Sequence, residues 1–332
     1  MTSILEVNDL RVYFHTPRGT VKAVDNVTFD VHAGERFGLI GESGSGKSTI
    51  ALAIMRLIRP PGRIESGEIR LDGENLLALS DEEIRQRRLA GVAMVTQGAM
   101  NSLNPVMRIR QQFADGLNSH GETVTVEEAR ERLVELLARV GLKPEAADVY
   151  PHQLSGGMKQ RVCIALAMSL RPSLIIADEP TSALDVVVQR QVVQTLRQVQ
   201  EDINAAVILI GHDMGLMAQF ASRVGVMYAG KLVEEGPVRA IFRQPEHPYT
   251  RILMESLPSL DQKETLQVVK GAPPSAADRP VGCVFHPRCP FVMDRCIQEE
   301  PLFREVAPEQ WAACHLHDEP AAAYNLSREV AE

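Results

Sequence analysis

A glycine-rich segment in the first part of the chain has the residue types and the spacing needed to hold a polyphosphate. It reads Gly41-Glu42-Ser43-Gly44-Ser45-Gly46-Lys47-Ser48-Thr49 and fits the pattern G-x-x-x-x-G-K-[ST]. Backbone N–H groups must turn inward around such dense negative charge, and glycine permits this because it has no Cβ atom. Lys47 would place its ammonium on the β- and γ-phosphates, and Ser48 would bind Mg²⁺. The segment predicts a phosphate-binding loop.

Two adjacent carboxylates end an apolar run later in the chain, Leu174-Ile175-Ile176-Ala177-Asp178-Glu179. Asp178 would help to hold Mg²⁺, and Glu179 would polarise a water molecule for attack on the terminal phosphate. Taken alone, such a run is common and is usually a strand that ends in solvent. Combined with the loop at 41–49, it predicts a site for nucleotide hydrolysis.

Alternating strands and helices would position these groups. Residues 36–40 are predicted to form a buried strand that leads into the loop, and residues 47–58 the helix that follows it. Further strands are predicted at 4–14, 22–32, 67–72, 91–96, 173–178 and 206–211, a hairpin at 223–236, and helices within 104–170 and at 186–202. The pattern predicts an α/β fold in which helices pack against a parallel sheet, with an inserted helical subdomain.

Composition narrows the class of protein. The 332 residues are 45% apolar and 23% charged, which excludes a disordered or fibrous chain. The net charge of −8 disfavours binding to a nucleic-acid backbone. The longest nearly apolar stretch, residues 162–170, is far shorter than the roughly 20 residues of a membrane-spanning helix. Residues 1–7 lack the pattern of a secretory signal, so the cytoplasm is the expected compartment.

The segment Leu154-Ser155-Gly156-Gly157-Met158-Lys159-Gln160 precedes a predicted helix and resembles the LSGGxxQ signature of nucleotide-binding subunits of ABC transporters. A serine and two glycines at a helix start would form a second anion-binding nest. The resemblance implies a P-loop NTPase core of the ABC type, with a mixed sheet, an antiparallel β-subdomain and the inserted helical subdomain. It also implies ATP and Mg²⁺ as ligands, and ATP hydrolysis as the activity.

Other residues match the same family in the expected order. Gln97 resembles the Q-loop glutamine, which contacts Mg²⁺ or water, and His212 resembles the H-loop histidine, which contacts the γ-phosphate. The segment Ser182-Ala183-Leu184-Asp185 resembles the D-loop, which crosses the dimer interface. For the aromatic ring that stacks on adenine, Phe14 is favoured over the adjacent Tyr13, and both stay open.

The family resemblance also implies partners. ATP would lie between the loop of one subunit and the signature of another, so a second nucleotide-binding subunit, identical or related, is expected. The alternatives are a soluble ABC protein without a transport role and a cassette that does not hydrolyse ATP. The residues between Lys47 and Asp178 leave no room for a second cassette or a long coiled coil, and the presence of Glu179, Gln97 and His212 disfavours the non-hydrolysing form.

Three segments resemble the oligopeptide and dipeptide importer branch: Asn101-Ser102-Leu103-Asn104-Pro105, Tyr150-Pro151-His152-Gln153, and Gln244 to Arg251 followed by Gly282 to Pro290. The branch implies two membrane permease subunits, an extracytoplasmic substrate-binding protein and a place on the cytoplasmic face of the inner membrane. Peptides are the expected cargo, with nickel complexes, glutathione or oligosaccharides as alternatives. Gly98-Ala99 departs from the acidic residue and proline usual after the Q-loop glutamine, which affects the expected contact with the permease.

Composition changes after residue 245, where prolines become frequent. We expect a nucleotide-binding domain at 1–245, with the helical subdomain at about 100–170, and a C-terminal extension at 246–332. The extension holds Cys283, Cys289, Cys296 and Cys314. Their clustering favours a metal site, and the branch resemblance favours a [4Fe–4S] cluster over Zn²⁺ or unliganded thiols. The fifth cysteine, Cys163, is expected to pack in the core.

Overall fold

A computed structural model describes residues 2–98, 102–182, 184–256, 274 and 279–318. Three residues of the predicted motifs, Ala99, Asn101 and Ala183, lie outside this part of the chain. The strands are β1 (Ser3–Thr16), β2 (Gly19–His32), β3 (Arg36–Ile40), β4 (Gly62–Leu71), β5 (Glu74–Asn75), β6 (Val92–Val95), β7 (Leu174–Asp178), β8 (Ala206–Gly211), β9 (Arg223–Tyr228), β10 (Lys231–Pro237), β11 (Phe303–Ala307) and β12 (Gln310–Ala313).

The helices are α1 (Lys47–Ile54), α2 (Asp81–Arg87), α3 (Ile109–Asn118), α4 (Val126–Arg139), α5 (Gly156–Ala167), α6 (Val186–Ile203), α7 (Met214–Phe220), α8 (Val238–Arg243), α9 (Pro248–Glu255) and α10 (Asp294–Gln298). Short 3-10 turns lie at Pro144–Ala147, Pro151–Gln153, His286–Arg288 and His315–His317. No helix in these described segments is long and apolar enough to cross a membrane.

The described strands form two sheets. The smaller is antiparallel, with strand order β2-β1-β4-β5. The larger has the order β11-β12-β10-β9-β3-β8-β7-β6, in which β9, β3, β8, β7 and β6 run parallel and the hairpin strands at the other edge run antiparallel. The mixed sheet and the antiparallel subdomain are as predicted.

The central strands separate two apolar cores because successive side chains of a strand point to opposite faces. On β7, Leu174 and Ile176 belong to the core shared with the antiparallel sheet and α1. Ile175 and Ala177 belong to the other core, which extends through the helical subdomain. All four side chains have no exposed surface. Burial on both faces explains why the strand is a continuous apolar run.

Helices α3, α4 and α5 confirm the inserted helical subdomain. Helix α4 begins at a capping box in which the Thr125 side chain accepts from the Glu128 N–H and the Glu128 side chain accepts from the Thr125 N–H. Its apolar face buries Ala129, Leu133 and Leu137. The capping box starts α4, and the apolar face packs the helix into the core of the subdomain.

Two local details differ from the prediction. Helix α1 ends at Ile54 instead of residue 58, because Arg56 adopts a left-handed conformation with φ of 48°. Helix α2 was not predicted, although Ser80 and Glu83 form a capping box at its start. That pair of residues is a sequence signal for the helix.

The C-terminal segment joins the larger sheet. Strand β12 pairs with β10, with Glu234 opposite Ala312 and Glu235 opposite Trp311. Phe285 has no exposed surface and packs in the same core as Tyr228 and Tyr249. These contacts bring the segment beside the end of β9. The proposed domain limits of 1–245 and 246–332 stay a prediction.

Candidate functional site

The glycine-rich segment forms a tight loop between β3 and α1. Gly41 and Gly46 have φ of 146° and 106°, which side-chain-bearing residues rarely adopt. A Cβ atom on Gly41 would lie 2.1 Å from the carbonyl oxygen of Met227, and one on Gly46 would lie 2.3 Å from that of Ala23. Both positions therefore require glycine. The loop leads directly into the N-terminus of α1, whose first turn presents backbone N–H groups to an anion.

Lys47 is buried at the start of α1, and the loop itself holds its ammonium. Nζ donates hydrogen bonds of 2.8 Å to the carbonyl oxygens of Gly41 and Glu42 and one of 3.2 Å to Ser45 Oγ. Burial lowers the pKa of Lys47, and nearby carboxylates, chiefly that of Glu179, oppose this shift. When a phosphate binds, the ammonium could donate its hydrogen bonds to charged phosphate oxygens instead of to neutral carbonyl oxygens.

Ser48 and Asp178 come together from two different elements. Ser48 Oγ donates a 3.0 Å hydrogen bond to Asp178 Oδ1 at the end of β7. Burial raises the pKa of Asp178 and the Glu179 charge adds to this, whereas Ser48 and Lys47 lower it. A hydroxyl beside a carboxylate is the oxygen donor set that Mg²⁺ prefers, so this pair fits the ion that the loop implies. A bound cation would favour the ionised carboxylate.

Three predicted catalytic side chains meet immediately beyond β6, β7 and β8. Gln97 Nε2 donates a 2.7 Å hydrogen bond to Glu179 Oε2, and His212 Nδ1 lies 3.6 Å from Glu179 Oε1. Glu179 has φ of 43°, and its N–H donates to the carbonyl oxygen of Ile210. The carboxylate is thus held at the strand end between an amide and an imidazole. This arrangement can accept a proton from water.

The predicted signature lies at the start of α5. Ser155 is exposed and its hydroxyl accepts a 3.3 Å hydrogen bond from the Met158 N–H, as a helix N-cap does. Gly156 begins the helix, and Gly157 is buried against Val188 of α6. These contacts are local. Binding of a nucleotide across a dimer interface by Ser155, Gly156 and Gly157 stays a prediction.

Asp185 of the predicted D-loop caps helix α6. Its carboxylate accepts from the N–H groups of Val187 and Val188, at 3.1 and 3.0 Å. Val186 and Val187 leave 66% and 67% of their surface exposed, which is high for apolar side chains. The exposed helix start is available to a partner subunit, and a role for Asp185 at such an interface stays a prediction.

The two aromatic candidates have different surroundings. The Tyr13 hydroxyl donates a 2.6 Å hydrogen bond to Asp25 Oδ1, and burial together with Asp25 raises the pKa of Tyr13 to about 12. The Phe14 ring lies over Gly62, where an added Cβ atom would come within 2.5 Å of it, and packs against the smaller sheet's core. The choice of adenine-stacking ring stays open.

The four C-terminal cysteines lie near one another. Burial raises the pKa of Cys314 to about 12 and that of Cys289 to about 11, and the neighbouring cysteines, including Cys283 and Cys296, contribute to both shifts. In the described residues, however, no three His, Cys, Asp or Glu side chains are placed to hold a metal ion. The observed thiol arrangement does not fit a zinc ion, and it gives no support to the predicted iron–sulfur cluster.

The sequence analysis missed two residues that contact the loop, Tyr249 and Arg288. The Glu42 carboxylate accepts two hydrogen bonds from Arg288, and the Glu42 N–H donates to the Tyr249 hydroxyl. Arg288 and Tyr249 lie in segments that were noted only for their resemblance to importer subunits. Because these contacts span more than 200 positions of sequence, no local pattern predicts them.

Comparison with known proteins places this site in a family. The model of the ABC transporter family matches residues 24–182, and that of the oligopeptide/dipeptide transporter C-terminal region matches residues 233–296. The dipeptide transport ATP-binding protein DppD of Escherichia coli (strain K12) is 44% identical over 318 residues, which cover 94% of this chain and 96% of that protein. This chain belongs to the ABC transporter family.

Other relatives agree with the assignment to the ABC transporter family. A putative peptide import ATP-binding protein of Brucella abortus (strain 2308) is 45% identical over 303 residues, which cover 90% of this chain and 91% of that protein. A dimeric ATP-binding cassette, MJ0796, solved in a post-hydrolysis state with ADP and Pi, is 28% identical and has a TM-score of 0.63. It covers 71% of this chain, and 99% of its own chain is matched. The ABC fold predicted from the sequence is confirmed.

Proposed function

We propose that this ABC protein is the ATP-hydrolysing subunit that energises a membrane importer of peptides. The observation that carries the proposal is the convergence of Lys47, the Ser48–Asp178 pair and Glu179 at one edge of the parallel sheet. The relatives named for dipeptide transport and peptide import, matched over nearly their whole lengths, support the cargo class.

The chemistry follows from the side chains at the strand ends. The loop N–H groups and Lys47 would bind the β- and γ-phosphates of ATP. Ser48 and Asp178, with Gln97 as a further candidate ligand, would hold Mg²⁺, which supplies positive charge that neutralises the phosphate oxygens. Glu179 would accept the proton of the attacking water, while Gln97 and His212 orient the carboxylate and the terminal phosphate.

Coupling to transport requires a second nucleotide-binding subunit. The exposed Ser155 at the start of α5 would complete the site of a partner chain, which agrees with the dimeric form of the related cassette. ATP would bind the closed pair more tightly than the open pair, and hydrolysis would remove that bias. We place the pair against two permease subunits on the cytoplasmic face of the membrane, with a substrate-binding protein on the other side.

Reconstitution tests this function. The chain, its partner cassette and the permease subunits would be placed in vesicles with the binding protein outside and MgATP inside. Accumulation of a labelled dipeptide that requires ATP and stops when Lys47 is replaced by Ala is the expected result. Uptake that continues without ATP, or ATP turnover with no uptake of any peptide, would contradict the proposal.

We also propose that the four cysteines take up a [4Fe–4S] cluster in the cell. The proposal rests on the presence of four cysteines within the C-terminal segment of the sequence, three of which, Cys283, Cys289 and Cys296, lie in the matched C-terminal region. The test is the iron, sulfide and zinc content of the full chain purified without oxygen. About four irons per chain are expected. A preparation without iron refutes the cluster, whether or not it contains zinc.

A further inference from the structure

The second residue of the phosphate-binding loop is held by the C-terminal part of the chain. Arg288 Nη1 and Nη2 donate to the two carboxylate oxygens of Glu42 at 2.9 and 3.1 Å, a bidentate ion pair. The Glu42 N–H donates a 3.0 Å hydrogen bond to the Tyr249 hydroxyl. Both the backbone and the side chain of Glu42 are thus fixed from outside the loop.

Arg288 is itself held rigidly. Its side chain is only 6% exposed. The guanidinium lies 5.7 Å from the centre of the Tyr228 ring and donates a 3.1 Å hydrogen bond to the Tyr228 hydroxyl. Phe285, at the start of the same short turn, packs edge-on against Tyr228 with ring centres 5.2 Å apart. An arginine fixed in this way loses little side-chain freedom when it pairs with a carboxylate.

Glu42 lies beside the group that would bind the phosphates. Its carbonyl oxygen accepts a 2.8 Å hydrogen bond from Lys47 Nζ. The Glu42 carboxylate is 28% exposed and carries a negative charge next to a loop built for anions. Without a partner, that charge would repel a bound triphosphate and would compete for Lys47.

We propose that Arg288 serves ATP binding through Glu42, by holding its carboxylate away from the triphosphate and neutralising its charge. This inference rests on the proposed function, namely that the loop binds ATP. It gives the C-terminal segment a direct part in the nucleotide site. Arg288 acts through the carboxylate of Glu42 and is therefore a positioning residue.

The test measures ATP affinity of the full chain without Mg²⁺, so that no hydrolysis occurs. Arg288→Met should raise the Kd for ATP about fivefold or more, because an uncompensated carboxylate faces the phosphates. The Kd for adenosine should not change. Glu42→Gln alone should bind ATP at least as tightly as the unaltered chain, and adding Glu42→Gln to Arg288→Met should restore the affinity. Arg295→Met, which removes an exposed arginine paired with Glu299 in the same segment, is the matched control.

The possible results distinguish the role of Arg288 from the proposed function in ATP binding. Restored affinity in the double variant supports the role of Arg288, because a general loss of structure would not be repaired by a second substitution. An unchanged Kd in Arg288→Met, or a double variant as weak as Arg288→Met, overturns it. If Arg288→Met does not fold, Glu42→Gln decides, since weaker ATP binding by that variant also overturns the inference. Failure of the unaltered chain to bind ATP would instead refute the proposed function.

Discussion

The side-chain amide of Gln97 lies 2.7 Å from the carboxylate of Glu179. The two residues follow β6 and β7, which are neighbouring parallel strands, so their side chains leave the sheet at the same edge. A carboxylate that accepts a hydrogen bond from an amide is fixed in direction, yet its second oxygen stays available to water. Gln97 therefore holds the carboxylate that would activate water in one orientation at the strand end.

Replacing Glu179 with Gln tests the assignment of the catalytic base. The variant keeps the size of the side chain but cannot accept a proton, so ATP should bind and remain unhydrolysed. Steady-state phosphate release should fall by about two orders of magnitude or more. Glu201→Gln, which alters an exposed carboxylate on α6, is the control and should retain full turnover. Hydrolysis within about threefold of the unaltered chain would remove Glu179 from this role.

Replacing Phe14 with Leu tests which ring stacks on adenine. Loss of a stacking ring should weaken ATP binding about tenfold, whereas binding of inorganic triphosphate should not change. Tyr13→Leu, measured in the same way, is the matched comparison. We expect the larger effect for Phe14, and a selective loss of ATP affinity in Tyr13→Leu alone would assign the stacking to Tyr13.

The sequence predicted the parts of the site that depend on local patterns. The loop at 41–49, the acids after β7 and the glutamine after β6 each follow an apolar strand, and a parallel sheet gathers such strand ends at one edge. The contacts of Glu42 could not be predicted, because Arg288 is 246 positions away in sequence and is brought to it by tertiary packing around Tyr228. Pairing of β12 with β10 was missed for the same reason, since the two strands are far apart in sequence.

The buried thiol of Cys163 should react slowly at mildly alkaline pH. Burial raises the pKa of its thiol to about 11, against a smaller opposing effect of Ser102. Because the thiolate is the reactive form, alkylation of Cys163 by iodoacetamide at pH 8 should be about a hundredfold slower in the folded chain than in urea. Mass spectrometry of the labelled peptide measures this rate.

The raised pKa of Cys163 also has a stability consequence. The folded state holds the proton more tightly than the unfolded state, so this contribution to stability is complete below the ordinary thiol pKa and is lost as pH rises toward about 11. Cys163→Ala should therefore lose less stability than the unaltered chain between about pH 9 and pH 11. In the alkylation experiment, equal labelling rates in the folded and the unfolded protein would contradict the burial of the Cys163 thiol.

Replacing Gly157 with Ala tests whether this glycine of the signature is needed for packing of α5 against α6. The added Cβ atom would lie 2.4 Å from Val188 Cγ1, closer than real contacts allow. Helix α5 must shift or Val188 must change rotamer, and we expect a loss of about 1 to 3 kcal/mol in the free energy of unfolding. Denaturant titration of the full chain measures it. Gly116→Ala is the control, because the nearest atom to its added Cβ lies at 3.9 Å and alanine favours a helix.

A second substitution separates packing from nucleotide binding at Gly157. Val188→Ala removes the clashing methyl groups, so it should restore most of the stability that Gly157→Ala loses. If Gly157 also contributes to the nest that receives the partner's nucleotide, the stable double variant should still turn over ATP slowly, because the added methyl would stand beside the backbone N–H groups. Full recovery of both stability and turnover would mean that Gly157 is required only for the contact with α6.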